Sequence, residues 1–128
     1  MSEFIELAVC GAHMSGLPLN YQLRELGATF VKSTFTAKGY RLFNVPEKTP
    51  SRPGMLRDAS SEYFMELEVW SIPLDNFGAF MIQIASPLCI GSVILEDESS
   101  VYGFLCESDY LRDAQEISSY GGWRAYLT

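Results

Sequence analysis

Gly11-Ala12-His13-Met14-Ser15-Gly16-Leu17-Pro18-Leu19-Asn20 sets the chain's only histidine in a glycine-flanked loop. Histidine titrates near pH 6.5, so it can deliver a proton or meet a carboxylate as the cation. Small neighbours let a ligand approach the backbone there. The amides of Ala12, Met14 and Gly16 can hold an anion while His13 acts as general acid. Ser15 can orient a ligand or cap the helix that follows, capping being the plainer role. Leu17 borders the same turn, and Asn20 faces the pocket or braces the loop. Arginines are the other anion readers, through two-pronged contact with a carboxylate. Arg52 and Arg57 bracket Pro53-Gly54-Met55-Leu56, and Arg124 follows Gly122-Trp123. For any one of the three, a structural or surface salt bridge is the plainer reading. Read as an exposed loop residue, His13 would be replaceable by Asn at a cost below about 1 kcal/mol.

Two elements must hold this loop. Phe4-Ile5-Glu6-Leu7-Ala8-Val9 is short and mostly apolar, and it reads as a buried strand entering the loop. Leu19, Leu23 and Leu26 then recur at helical spacing, with Pro18 placed for the first turn and Gly27 for the stop. The amides from about Gly16 to Asn20 would therefore be unpaired and carry the positive end of the helix dipole. Such a place suits a small anion.

The remaining chain alternates strands and short helices. Residues 29–36 and 39–43 are β-rich and read as neighbouring strands. Pro46 to Pro53 holds three prolines and reads as an exposed excursion. Residues 65–72 alternate as a half-buried strand, with Met65, Leu67 and Val69 on one face. Phe77, Phe80, Met81 and Ile84 then mark an amphipathic helix whose stripe faces the core. Val93-Ile94-Leu95 and residues 101–106 flank the polar tip Glu96-Asp97-Glu98-Ser99-Ser100, a hairpin. Asp113-Ala114-Gln115-Glu116 has the order of a capping box and predicts a short helix before Gly121-Gly122. Trp123 reads as a packing anchor.

Gly11-Ala12-His13, Ser15-Gly16-Leu17-Pro18-Leu19-Asn20 and Gln22-Leu23 together resemble the opening motif of the allophanate hydrolase C-terminal domain. Ser119-Tyr120-Gly121-Gly122-Trp123-Arg124-Ala125-Tyr126-Leu127 is similar to its closing motif. Glu66-Leu67-Glu68-Val69-Trp70 and Pro87-Leu88-Cys89-Ile90-Gly91-Ser92-Val93 resemble internal blocks in the same order. The resemblance implies an α+β fold like that of γ-glutamyl cyclotransferases: a small mixed β-barrel with a few short helices and a pocket beside the first strand-to-helix loop. It also implies decarboxylation of N-carboxycarbamate, credited to some members, or assembly, credited to others. The Ser-Ser-Lys amidase triad of full allophanate hydrolases has no counterpart among the serine runs here, so allophanate hydrolysis by that route is not expected. Cyclotransferases use a glutamate that would fall within Phe77 to Gln83, where no acid occurs.

With 128 residues and 48% hydrophobic content, residues 1–128 form one domain that buries about two-thirds of its unfolded surface. A net charge of −7 with dispersed basic residues argues against nucleic acid and anionic membranes as partners. No apolar run reaches a membrane span and no signal peptide opens the chain, so the expected compartment is the cytoplasm. Cys10, Cys89 and Cys106 are odd in number and set among apolar residues, which excludes a disulfide framework. Cys10 reads as a small buried hydrophobe. One histidine and no Cys-x-x-Cys pair leave no zinc ligand set, and no metal or other cofactor is expected. Three functions follow: an enzyme or binder for a small carboxylated urea or carbamate, a partner module for a separate amidase or a second copy of the chain, or a cyclotransferase-like enzyme on amino-acid amides. A carboxylate at the His13 loop would favour the third, and a broad apolar face the second.

Overall fold

The computed structural model describes residues 3–45 and 48–128. Strand β1 (Phe4–Val9) enters the loop, which leads to the six-residue helix α1 (Asn20–Glu25). Gly27, at φ +82°, turns the chain where the stop was expected. Strands β2 (Thr29–Phe35), β3 (Tyr40–Val45), β4 (Arg52–Arg57) and β5 (Glu66–Pro73) follow. β5 runs directly into helix α2 (Leu74–Ile82), and β6 (Leu88–Ile94) and β7 (Ser100–Cys106) form the expected hairpin. The two-residue strand β8 (Gln115–Glu116) and helix α3 (Trp123–Leu127) come last.

Five strands form one mixed sheet in the order β2-β5-β1-β7-β6, and three form a smaller one in the order β4-β3-β8. β1 lies between an antiparallel β5, paired from Phe4↔Pro73 to Val9↔Glu68, and a parallel β7, paired at Leu7↔Tyr102 and Ala8↔Gly103. The larger sheet curls until its two ends meet at the bridge Thr36↔Leu95, where Ala37 N donates to Ile94 O and Glu96 N to Phe35 O. That contact brings the edges together at one end only. The fold is thus the expected mixed sheet with a few short helices, but the barrel does not close.

Several local expectations yield to tertiary pairing. β2 and β3 are not neighbours: β2 pairs with β5 and β3 with β4, because Gly39 at φ +106° turns the chain between sheets and its amide bonds Tyr63 O. The proline-rich stretch is not all an exposed excursion. Pro46 and Glu47 lie outside the described residues, and Arg52 to Arg57 form β4, with Pro53, Gly54 and Met55 buried. Proline is tolerated there because β4 is an edge strand. β5 is a central strand covered on both faces, with Leu67, Glu68, Val69 and Trp70 all buried. On α2 the stripe is narrower than its spacing implies: Phe80 is buried, Phe77 and Ile84 are partly so, and Met81 is exposed. Asp113 to Glu116 start no helix, since Gln115 and Glu116 pair with Asn44 and Phe43. A 3-10 turn over Ser118–Tyr120 precedes Gly121 instead. At the hairpin tip, Glu96 accepts from Thr34 Oγ1 and Phe35 N, so that acid braces the edge of β2.

At Gly103, which pairs with Ala8, β7 leaves no room for a side chain. A Cβ there would sit 2.7 Å from Val93 Cγ2 and 3.1 Å from Ala8 Cβ. Gly103→Ala is therefore expected to destabilise by about 1–3 kcal/mol through overpacking. A urea melt checks this as a lower midpoint at unchanged slope.

Candidate functional site

The His13 loop is built from consecutive tight turns. Met14 N donates to Gly11 O (3.0 Å), Leu17 N to Met14 O (3.0 Å), Leu19 N to Ala12 O (2.8 Å) and Asn20 N to Leu17 O (3.1 Å). The amides expected to await an anion are thus largely consumed, as buried donors require. Met14 itself is fully buried, Gly16 takes an exposed left-handed turn (φ +79°), and Leu17 packs against the core. Ser15 does not cap α1, which has no side-chain cap. Its amide donates to Glu68 Oε1 (2.7 Å) and its hydroxyl to Glu68 Oε2 (3.2 Å).

Glu68 gathers four donors. Besides Ser15 it accepts from Trp70 Nε1 (3.0 Å) and from Arg124 Nη2 (2.9 Å), which also donates to Ser15 O. Burial pushes the Glu68 carboxyl up, but the Ser15, Arg124 and Trp70 donors outweigh it and hold the group below the usual range. Arg124 is accordingly a clamp on the loop and does not line its cavity. Asn20 braces from the other side: Nδ2 donates to His13 O (2.7 Å), and Oδ1 accepts from Arg24, whose guanidinium lies over the Trp70 ring.

His13 is 7% exposed, so it is not the exposed residue its loop setting implies. Its ring stacks on Phe104 (4.9 Å between centroids, 19° between planes) and meets Phe80 edge-on at 5.4 Å. Nε2 is 2.8 Å from Gln22 Oε1. Burial lowers the imidazole to about 4, with the Gln22 bond opposing and the Arg52 charge adding to the drop. At neutral pH the ring is uncharged. Asn in its place would leave a cavity among Phe80, Phe104 and Gln22, so the cost is expected to exceed 1 kcal/mol.

Gly11, Ala12, His13 and Arg52 come together around one cavity with Cys10, Pro53, Leu88 and Phe104. Arg57 stands exposed at the far end of β4, outside it. Gly11 is required by contact: a Cβ there would fall 2.3 Å from Pro53 Cδ, the residue next to Arg52. The Arg52 guanidinium donates only to main-chain carbonyls, Pro50 O at 3.3 Å and Thr49 O at 3.5 Å, and has no carboxylate partner among the described residues. None of the lining residues is acidic. As built, the cavity offers about 10 Å³, the room of one water. The Cys10 thiol beside it is pushed up to about 12, mainly by burial, and is unreactive. No group of three or more His, Cys, Asp or Glu among the described residues is arranged to hold a metal.

Glu68, Gln22, Phe80 and Phe104 escaped the sequence reading as site residues. Glu68 shares its strand face with Trp70, two residues on, and a carboxylate beside a buried indole N–H is the one local sign of its role. Gln22 stands in the opening motif without a local sign of its target.

Residues 5–128 match the family model of the allophanate hydrolase C-terminal domain. A urea amidolyase of Saccharomyces cerevisiae is 45% identical over 130 residues, covering 98% of this chain and 7% of that protein. The Kluyveromyces lactis allophanate hydrolase structure superposes with a TM-score of 0.93 at 37% identity, over 98% of this chain and 21% of that one. A uropathogenic E. coli-specific protein does so at 0.91 and 34% identity, over 98% of this chain and 96% of that one. The chain belongs to the allophanate hydrolase C-terminal domain family. A gamma-glutamyl cyclotransferase, at 13% identity and a TM-score of 0.58, shares the fold. No helix among the described residues is long and apolar enough to cross a membrane.

Two outcomes follow from these contacts. Between pH 6.5 and about 4 the unfolded chain protonates His13 while the folded chain does not, so stability falls as pH drops through that window and levels off below it. The loss amounts to about 3 kcal/mol, and urea melts across the window should show it shrinking in His13→Phe. Glu68→Ala strands Ser15 N, Trp70 Nε1 and Arg124. It is expected to cost about 3 kcal/mol, the low end for a broken buried pair because the Arg124 side chain is 37% exposed.

Proposed function

We propose that this domain binds a small carboxylated urea- or carbamate-type anion between Arg52 and His13 and releases carbon dioxide from it, with His13 as the proton donor. The observation that carries this reading is the Arg52 guanidinium, a cation without a carboxylate partner among the described residues, set beside an uncharged imidazole. A carboxylate needs more room than one water occupies. Arg52, tied by two long hydrogen bonds, is the wall that yields.

The charge balance then reverses. The incoming anion offsets Arg52 and favours imidazolium, so binding draws a proton onto His13. As the N–C bond to the departing carboxylate breaks, carbon dioxide leaves, the bonding pair stays on nitrogen, and His13 returns its proton there. N-carboxycarbamate plus one proton thus gives carbamate and carbon dioxide. Cyclotransferase chemistry would need an acidic base, which the cavity lining lacks among the described residues. The three free thiols suit a reducing cytoplasm.

A second reading is a module for a separate amidase subunit or for a second copy of the chain. Its support is that the Saccharomyces and Kluyveromyces proteins carry the matched segment as 7% and 21% of longer chains. The two readings part on one measurement, carbon dioxide release from N-carboxycarbamate made in place by an amidase. The first expects His13→Asn to lose about 100-fold to 10,000-fold in rate while Arg57→Gln keeps it. Equal rates for the wild type and His13→Asn, or none above background, would instead favour the assembly module.

A further inference from the structure

The imidazole of His13 has two different edges. Nε2 faces α1, where Gln22 Oε1 lies at 2.8 Å. With the Gln22 carbonyl oxygen placed on the ring, the amide accepts, so in this arrangement Nε2 bears the hydrogen and Nδ1 the lone pair. Nδ1 makes no hydrogen bond among the described residues. Yet no sealed side-chain nitrogen or oxygen is left without a partner among the described residues, so Nδ1 must reach open space. Phe104 stacks on the ring, Phe80 meets it in an edge-type contact and Gln22 of α1 holds Nε2, and the residue lines the cavity shared with Arg52, the open space that Nδ1 can reach.

We infer that Gln22 is a positioning residue that fixes the Nε2–H form of His13 and thereby dedicates Nδ1 to proton exchange with whatever occupies the cavity. This rests on reading the cavity as the site, and it goes further by naming the atom that works and the residue that assigns it. The alternative form, with hydrogen on Nδ1, would set the Nε2 lone pair against the Gln22 oxygen unless the amide turned over to present its NH2, an arrangement that the ring nitrogens report directly as hydrogen on Nδ1. Asn20 holds His13 by its carbonyl oxygen, and Phe104 and Phe80 hold the ring plane.

The groups packed around the ring are few. From α1 comes Gln22, from α2 Phe80, from β7 Phe104, from β4 Arg52, and from the loop the protonated Cys10 thiol. Arg52 is the one charge among them. A proton taken up with an anion therefore lands on Nδ1, between the anion and the ring, and leaves from the same atom to the substrate nitrogen. Nε2–H stays on Gln22 throughout, so the ring returns to its starting form without rotation.

Because these 128 residues hold one histidine, its ring nitrogens can be observed without assignment ambiguity in the 15N-labelled chain. Ligand-free at pH 7, Nε2 is expected to give the signal of a protonated nitrogen and Nδ1 that of a bare one. Gln22→Leu removes the acceptor and should give two signals drawn toward each other by mixing of tautomers. Gln22→Glu keeps the acceptor, so the Nε2–H form should persist while the ring protonates at a higher pH than in the wild type. Hydrogen on Nδ1 in the wild type, or a Gln22→Leu spectrum identical to it, would overturn the inference. If Gln22→Leu does not fold, the wild-type spectrum and Gln22→Glu decide the matter. Added malonate should move Nδ1 more than Nε2, and the reverse order would also overturn the inference. No response at either nitrogen in a protein with the expected tautomer would count against the cavity as an anion site and leave the role of Gln22 standing. That separates the two failures.

Discussion

The carboxylate of Glu68 is the point at which distant parts of this chain are tied together. It sits on β5, in the interior of the larger sheet, and a buried charge there is tolerable only when its oxygens are filled with donors. Those donors come from three places: the His13 loop through Ser15, the same strand through Trp70, and α3 through Arg124. None of the three would be fixed alone. Ser15 lies in a turn, α3 is five residues long, and Trp70 needs a partner for its indole hydrogen.

This arrangement separates holding the loop from using it. On the Glu68 side all polar groups are satisfied and the arginine is neutralised. On the opposite side, where His13 and Arg52 line one cavity, a positive group is held, among the described residues, by main-chain carbonyls alone. The loop is therefore rigid where it is anchored and electrostatically incomplete where it opens. The opening is walled by the apolar side chains of Phe104, Leu88 and Pro53. The few polar groups at the opening then act in a dry setting where charge is felt strongly.

What could be read beforehand was what local pattern encodes. β1, the hairpin of β6 and β7, the stop at Gly27 and the His13 loop each follow from residues close in sequence. β4 was hidden because three prolines nearby signal exposure, while the feature that buries Pro53 is a contact with Gly11 some forty residues earlier. The Asp113 to Glu116 order imitates a helix start, but strand β3 captures Gln115 and Glu116 first. Arg124 reads equally well as an anion clamp or as a structural ion pair. Its partner decides, and that partner lies 56 residues away in sequence. Of the candidate site, the histidine and one arginine were legible, whereas the glutamine that orients the ring and the aromatic rings that dry it were not.

The bond from Arg124 to the carbonyl of Ser15 spans 109 residues. During synthesis the loop leaves the ribosome before its anchor on α3, which follows 109 residues later. Until then Glu68 can hold Ser15 and Trp70 but has no counter-charge, and the sheet that carries it lacks β6 and β7 for much of that time. A nascent chain stalled before residue 104 would lack the ring on which His13 stacks and leave a histidine that is still hydrated and still basic, and the shift to an uncharged ring would report that translation had passed that point.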